Sequence, residues 1–140
     1  MINNLFFDNE GIGEGTFLSK VFLNDGSNEL IVYIENESAV KYAEQCIEHF
    51  NSMHDEMIDY ICNGILKCAK QNGLDEDIEL ESTRDILKYC WFVALYIDVP
   101  TSDKVTYRVE GEGDWGECIG FIIKENEVAY IGNDIFSEEV

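Results

Sequence analysis

The chain has 140 residues, of which 29 are Asp or Glu and 9 are Lys or Arg, a formal net charge of −20. A surplus of that size repels nucleic acid, anionic membranes and polyphosphate ligands, and it favours a basic macromolecular partner. Hydrophobic residues at 46% and aromatics at 12% are enough for one packed core, so the charge does not imply disorder, and residues 1–140 read as a single domain.

The first residues carry no basic leader and meet an acid at Asp8, which is not the pattern of a secretory signal. Leu5-Phe6-Phe7 predicts a strand, the glycines at 11, 13 and 15 a turn, and residues 16–23 a second strand. Asn24-Asp25-Gly26 then reads as a hairpin turn into a third strand over 29–34, because glycine reaches positive φ without steric cost. From residue 37 the period changes. Val40, Ala43, Ile47 and Phe50 fall on one helical stripe, opposite Lys41, Glu44, Gln45 and Glu48, with Asn36 or Ser38 as the cap.

Asn51-Ser52 interrupts this helix, and either residue can cap the next one. There Met53, Met57, Ile61, Ile65 and Cys68 recur at helical spacing, flanked by Ile58, Cys62, Leu66 and Ala69. Lys67 and Lys70 suit its last turn, and Asn72-Gly73 ends it. An acidic connector with Asp75, Glu76, Asp77, Glu79 and Glu81 follows, then a turn or two of helix from Ser82 or Thr83.

Residues 91–97 are apolar on both faces and predict a central strand. Val105, Tyr107 and Val109 alternate with Thr106, Arg108 and Glu110 as a half-exposed strand does. Residues 119–124 and 128–131 bracket Glu125-Asn126-Glu127 as a last hairpin. The expected fold is α+β, a mostly antiparallel sheet of about six or seven strands with a helical hairpin packed on one face. The longest apolar run, 89–97, is too short to span a bilayer. Five scattered cysteines make no disulfide framework; read as buried thiols in apolar surroundings, they point to a reducing, cytoplasmic setting.

No arrangement of residues rises to a catalytic signature. The glycine cluster at 11–15 has Glu14 in its middle and a strand after it, where a phosphate cradle needs a helix. The run 110–117 alternates acids with glycines like the opening of a calcium loop, but Trp115 and Phe121 stand where that loop needs Gly and Glu. Cys46 and His49 are one helical turn apart without a second pair at zinc spacing, and His49 and His54 read as flanking a hairpin tip in solvent. Lys20, Arg84, Lys88, Lys104 and Arg108 are too dispersed for a nucleic-acid patch. No catalytic residue, metal ligand or cofactor is assigned.

Tyr107-Arg108-Val109-Glu110, Asp114-Trp115, Gly120-Phe121-Ile122-Ile123 and Val128-Ala129-Tyr130-Ile131-Gly132 form a recognisable pattern over about residues 28–132. It resembles a group of small, acidic, uncharacterised bacterial domains found among candidate immunity proteins of polymorphic toxin systems. Glu117-Cys118-Ile119-Gly120 departs from that group, which usually has a histidine before the glycine, so no metal or catalytic role is carried over. The resemblance implies a non-enzymatic, cytoplasmic protein-binding module that neutralises a basic, nuclease-like toxin. Glu110, Glu112, Asp114, Trp115 and Glu117 are the candidate contact residues, since an acidic surface with an aromatic anchor suits such a partner; the other reading of Trp115 is that it covers a core edge. An intracellular structural or regulatory interaction domain is the alternative, and a metal-dependent enzyme using the 110–117 acids is a second.

Twenty surplus negative charges on one small surface repel one another, and salt screens them within about 10 Å at 0.1 M. The melting temperature is therefore expected to rise from low salt to about 0.5 M. A flat or falling trend in a thermal melt would contradict it.

Overall fold

Seven strands, β1 (Asn3–Phe7), β2 (Gly13–Leu18), β3 (Glu29–Ile34), β4 (Cys90–Ile97), β5 (Tyr107–Gly113), β6 (Cys118–Lys124) and β7 (Glu127–Gly132), form one sheet in sequence order. The computed structural model describes residues 1–75, 77–100 and 102–138. Neighbours are antiparallel except β3 and β4, which run parallel from Ile31 opposite Ala94 to Ile34 opposite Ile97. A parallel pair needs a long crossover, and here helices α1 (Val40–Asn51) and α2 (Asp55–Gln71) supply it. The fold is α+β, a mostly antiparallel sheet with a helical hairpin on one face, as the periodicities predict.

The helices bury Tyr42, Ala43, Cys46, Ile47 and Phe50 from α1 and Ile58, Ile61, Cys62, Ile65 and Ala69 from α2. These meet alternate strand residues, among them Val32, Phe92, Leu95, Tyr107, Val109 and Phe121. Met57 and Cys68, expected on the stripe's centre, stand half-buried at its edge. Asn36 caps the short 3-10 turn leading into α1, accepting from Ser38 N at 3.0 Å. The cap of α2 is neither Asn51 nor Ser52 but His54, whose Nδ1 accepts from Met57 N at 3.3 Å. After α2 the connector is drawn in by buried Leu74; Glu76 lies outside the described residues. A 3-10 helix over Thr83–Lys88 follows, opened by a Ser82/Asp85 capping box. Arg84 is held by Asp55 and Asp59, both at 2.8 Å.

The main departure from the expected elements is at residues 19–28. β2 ends at Leu18, and Val21-Phe22-Leu23 is not strand but part of a closed loop. Asn24 to Ser27 does turn, with Gly26 at φ +71°, and the hairpin it closes is the antiparallel pair β2 and β3; but the strands stop at Leu18 and Glu29, so the turn makes one isolated bridge at the tip of a longer loop. The cause is Phe22, which leaves the sheet plane and inserts between helix and sheet. Its ring lies 5.5 Å from Phe50, 5.2 Å from Phe92 and 5.1 Å from Phe121, centroid to centroid. Polar contacts close the loop around it. Ser19 Oγ donates to Phe22 O at 2.6 Å, and Phe92 N donates to Leu23 O at 2.9 Å. Asn51 accepts from Lys20 N at 3.0 Å and donates to Leu18 O at 2.9 Å, which is why it is not available to cap α2.

At the other edge β6 and β7 join through Glu125 and Asn126, both at positive φ (51° and 70°), the geometry of a type I′ hairpin. Among the described residues no helix is long and apolar enough to cross a membrane. Truncating Phe22 empties the middle of the aromatic cluster. Phe22→Ala is expected to lower unfolding free energy by about 3–5 kcal/mol in urea melts, whereas Phe6→Ala, on an exposed ring, should cost under about 1 kcal/mol.

Candidate functional site

The open face of the sheet, opposite the helices, is where the expected contact residues fall. Cross-strand register defines it: Glu14, Tyr33, Tyr96, Arg108, Ile122 and Tyr130 form one row, and Thr16, Ile31, Ala94, Glu110, Gly120 and Gly132 the next. A third row pairs Trp91 with Glu112 and Cys118. Trp91 reaches this face through a bulge. Trp91 and Tyr96 are an odd number apart and would face opposite ways on a regular strand, but the register slips between Phe92 and Ala94.

Beyond the third row, β5 ends in the tight turn Gly113–Gly116, closed by Gly116 N to Gly113 O at 3.1 Å and Gly113 N to Glu117 O at 2.9 Å. Asp114 N donates to Tyr89 O at 2.7 Å, which ties the turn to the start of β4. The result is a groove of about 360 Å³ lined by Trp91, Glu112, Asp114, Glu117, Cys118 and the glycines at 113 and 116. Glu112, Asp114 and Glu117 are exposed around the half-buried indole, and no Lys or Arg lines the groove. Carboxylates flanking a tryptophan attract a cation twice, by charge and through the ring quadrupole.

Two of the expected residues are elsewhere. Glu110 lies mid-sheet, half-buried, and accepts from Tyr96 O–H at 2.8 Å. Burial, and after it that bond, hold the Tyr96 phenol protonated well above its ordinary range. Trp115 is turned inward. Its indole packs over Gly113, where a Cβ would overlap it, and it lies against the core with Nε1 buried and unpaired. Trp115 therefore closes the core edge, and Trp91 is the aromatic residue that stands among the acids.

The open face is also partly roofed. After β7 the chain doubles back, and Ile135 is buried over Gly120, where a Cβ would crowd it. Arg108 fastens this strap by donating from its guanidinium to Ile135 O and to Glu138 O. Ala94, Ile122 and Ile135 form a small apolar layer apart from the helix-side core.

A protein-family model described as "Domain of unknown function (DUF6985)" matches residues 2–135. The chain belongs to that family. Comparison of this DUF6985 domain with curated proteins and with solved structures gives no match.

The remaining reactive groups of this DUF6985 domain are mostly buried. Cys46, Cys62 and Cys90 are in the core, and burial pushes their thiols up to about 12, 11 and 12. Cys118 departs from the expectation of apolar surroundings: it is exposed, beside Glu117. Among the described residues no three His, Cys, Asp or Glu gather as a metal site. His54 is exposed as expected, but His49 is half-buried, its Nδ1 2.8 Å from the Tyr107 hydroxyl.

Burial lowers the His49 pKa below its ordinary 6.5. The folded imidazole stays neutral where the unfolded chain takes up a proton, so its contribution is complete above about pH 6.5 and is lost as pH falls. Wild type is expected to lose melting temperature relative to His49→Gln between about pH 7.5 and pH 5.5. Parallel pH profiles of the two proteins would exclude the linkage.

Proposed function

We propose that this chain is a non-enzymatic protein-binding module, an immunity-type inhibitor that neutralises a basic, nuclease-like bacterial toxin in the cytoplasm. One observation carries the reading: three exposed carboxylates surround a half-buried tryptophan in a groove that, among the described residues, no Lys or Arg lines, Lys88 belonging to the adjoining cavity. A lysine or arginine of a basic partner fits that groove by charge and by stacking. The net charge of −20 would steer such a partner to encounter, and an inhibitor of this kind needs a complementary surface and no reactive group. Trp91 is the anchor, and Glu112, Asp114 and Glu117 are the rim that orients the incoming cation. Glu110 belongs to the sheet beneath, and Trp115 supports the turn that carries Asp114.

The test is co-expression with the toxin domain encoded beside this gene, followed by binding kinetics on the purified pair. Protection and a tight complex are expected. Trp91→Ala should weaken the complex by about 30-fold or more, mainly through faster dissociation. Neutralising the rim as Glu112→Gln, Asp114→Asn and Glu117→Gln together should slow association about tenfold and flatten its salt dependence. A chain that neither binds nor protects against any adjacent toxin would overturn the assignment.

A further inference from the structure

A second cavity on the open face has a different construction. It measures about 410 Å³ and opens where the parallel pair β3 and β4 ends. Glu35 follows β3 and Asp98 follows β4, so the parallel register sets two carboxylates side by side just beyond Ile34 and Ile97. In the antiparallel pairs, neighbouring strands do not end together in this way.

The walls are aromatic. Tyr33 and Tyr96 stack at 4.9 Å between centroids with 20° between planes, and Phe136 of the strap meets Tyr96 at 4.8 Å and 90°. Phe136 is 57% exposed and Ile12 at the rim 42%, a concentration of uncovered apolar surface at the cavity mouth.

The electrostatics are unbalanced in one direction. Asp98 is partly exposed, but its Oδ2 is buried and, among the described residues, accepts no hydrogen bond; Arg108 Nε forms an ion pair with it at 3.7 Å, beyond hydrogen-bonding distance. Arg108 is also engaged by the strap carbonyls. Burial lifts the Asp98 carboxyl above its ordinary range despite Arg108, and the neighbouring Glu35 adds to the lift. Glu14 and Glu110 act on Tyr33 in the same sense. The site holds more carboxylate than its one arginine offsets.

We propose that this cavity is a receptor for an organic cation, a guanidinium or alkylammonium group that stacks on the aromatic walls and pairs with Asp98 and Glu35. Face-on contact with tyrosine and phenylalanine is the general mode for recognising such groups, and a partly buried carboxylate beside the rings adds orientation. Tyr96 lies five residues along β4 from Trp91, roughly 15 Å at the rise of a strand. The two sites are therefore separate, and the cavity's chemistry does not depend on the partner named for the groove. The cation can be free or carried on a protein; the chemistry read by the cavity is the same.

The experiment is NMR titration of the full chain with N-acetyl-arginine amide, with the neutral isostere N-acetyl-citrulline amide as control. Saturable shifts of the Tyr33, Tyr96 and Phe136 ring signals are expected at millimolar concentration, without a response to citrulline. Asp98→Asn and, separately, Phe136→Ala should each weaken binding about tenfold. Phe136 is largely exposed, so its variant tests the wall even if Asp98→Asn perturbs the fold. A basic toxin domain should broaden the same ring signals if the natural cation is a protein side chain, and leave them unmoved if it is a free molecule. The proposal fails if arginine amide up to about 20 mM gives no saturable shift. It fails equally if citrulline acts the same, if Phe136→Ala binds undiminished, or if the shifts are confined to Trp91 and Glu112.

Discussion

The insertion of Phe22 between the helices and the sheet is the constraint on which the rest of the molecule depends. One ring from a loop touches α1 through Phe50, β4 through Phe92 and β6 through Phe121, three segments far apart in the chain. Each aromatic pair adds about 0.5–1.5 kcal/mol beyond its buried area, and all of them are lost together if the loop opens. The Ser19 contact is local and buried, and without it the Phe22 carbonyl would be left away from water without a donor; Asn51 reaches over from α1 to pin the exposed start of the loop.

The elements with a clear period were legible in the sequence. Val105, Tyr107 and Val109 alternate because β5 has one face on the helices, and the stripes of α1 and α2 follow from packing on a single sheet. The apolar run 91–97 also read correctly as a central strand, but for a reason only the tertiary structure supplies. One side meets the helix core, while the other lies under the strap and the tyrosine pair. What the sequence did not disclose is where the period breaks. A period-2 count back from Tyr96 turns Trp91 toward the helices, and only the bulge at Val93 reverses it. Asp114 and Trp115 are adjacent and looked alike as members of a polar turn, yet Gly113 makes room for the indole on the core side. The apolar run Val21-Phe22-Leu23 favours a strand by local preference, and long-range packing overrides it.

The two faces of the sheet divide the work. The helix face is aliphatic and aromatic, and among the described residues its buried titratable groups are thiols and tyrosines, with half-buried His49 at the edge. The open face mixes aromatic rings with carboxylates and is only half roofed, at the β5 and β6 side. A fold whose charge opposes compaction can tolerate this because its main core lies on the other side. Apart from half-buried residues such as Glu110 and Asp98, most of its acids stand exposed, where water and salt screen them.

The grip of Arg108 on the strap falls on main-chain oxygens, at residues 135 and 138, and not on side chains. Every amino acid presents the same carbonyl, so docking of the C-terminal segment places few demands on which residue occupies position 136 between the two grip points. A substitution at that position would therefore change the size and polarity of the mouth beneath it while the backbone keeps its course.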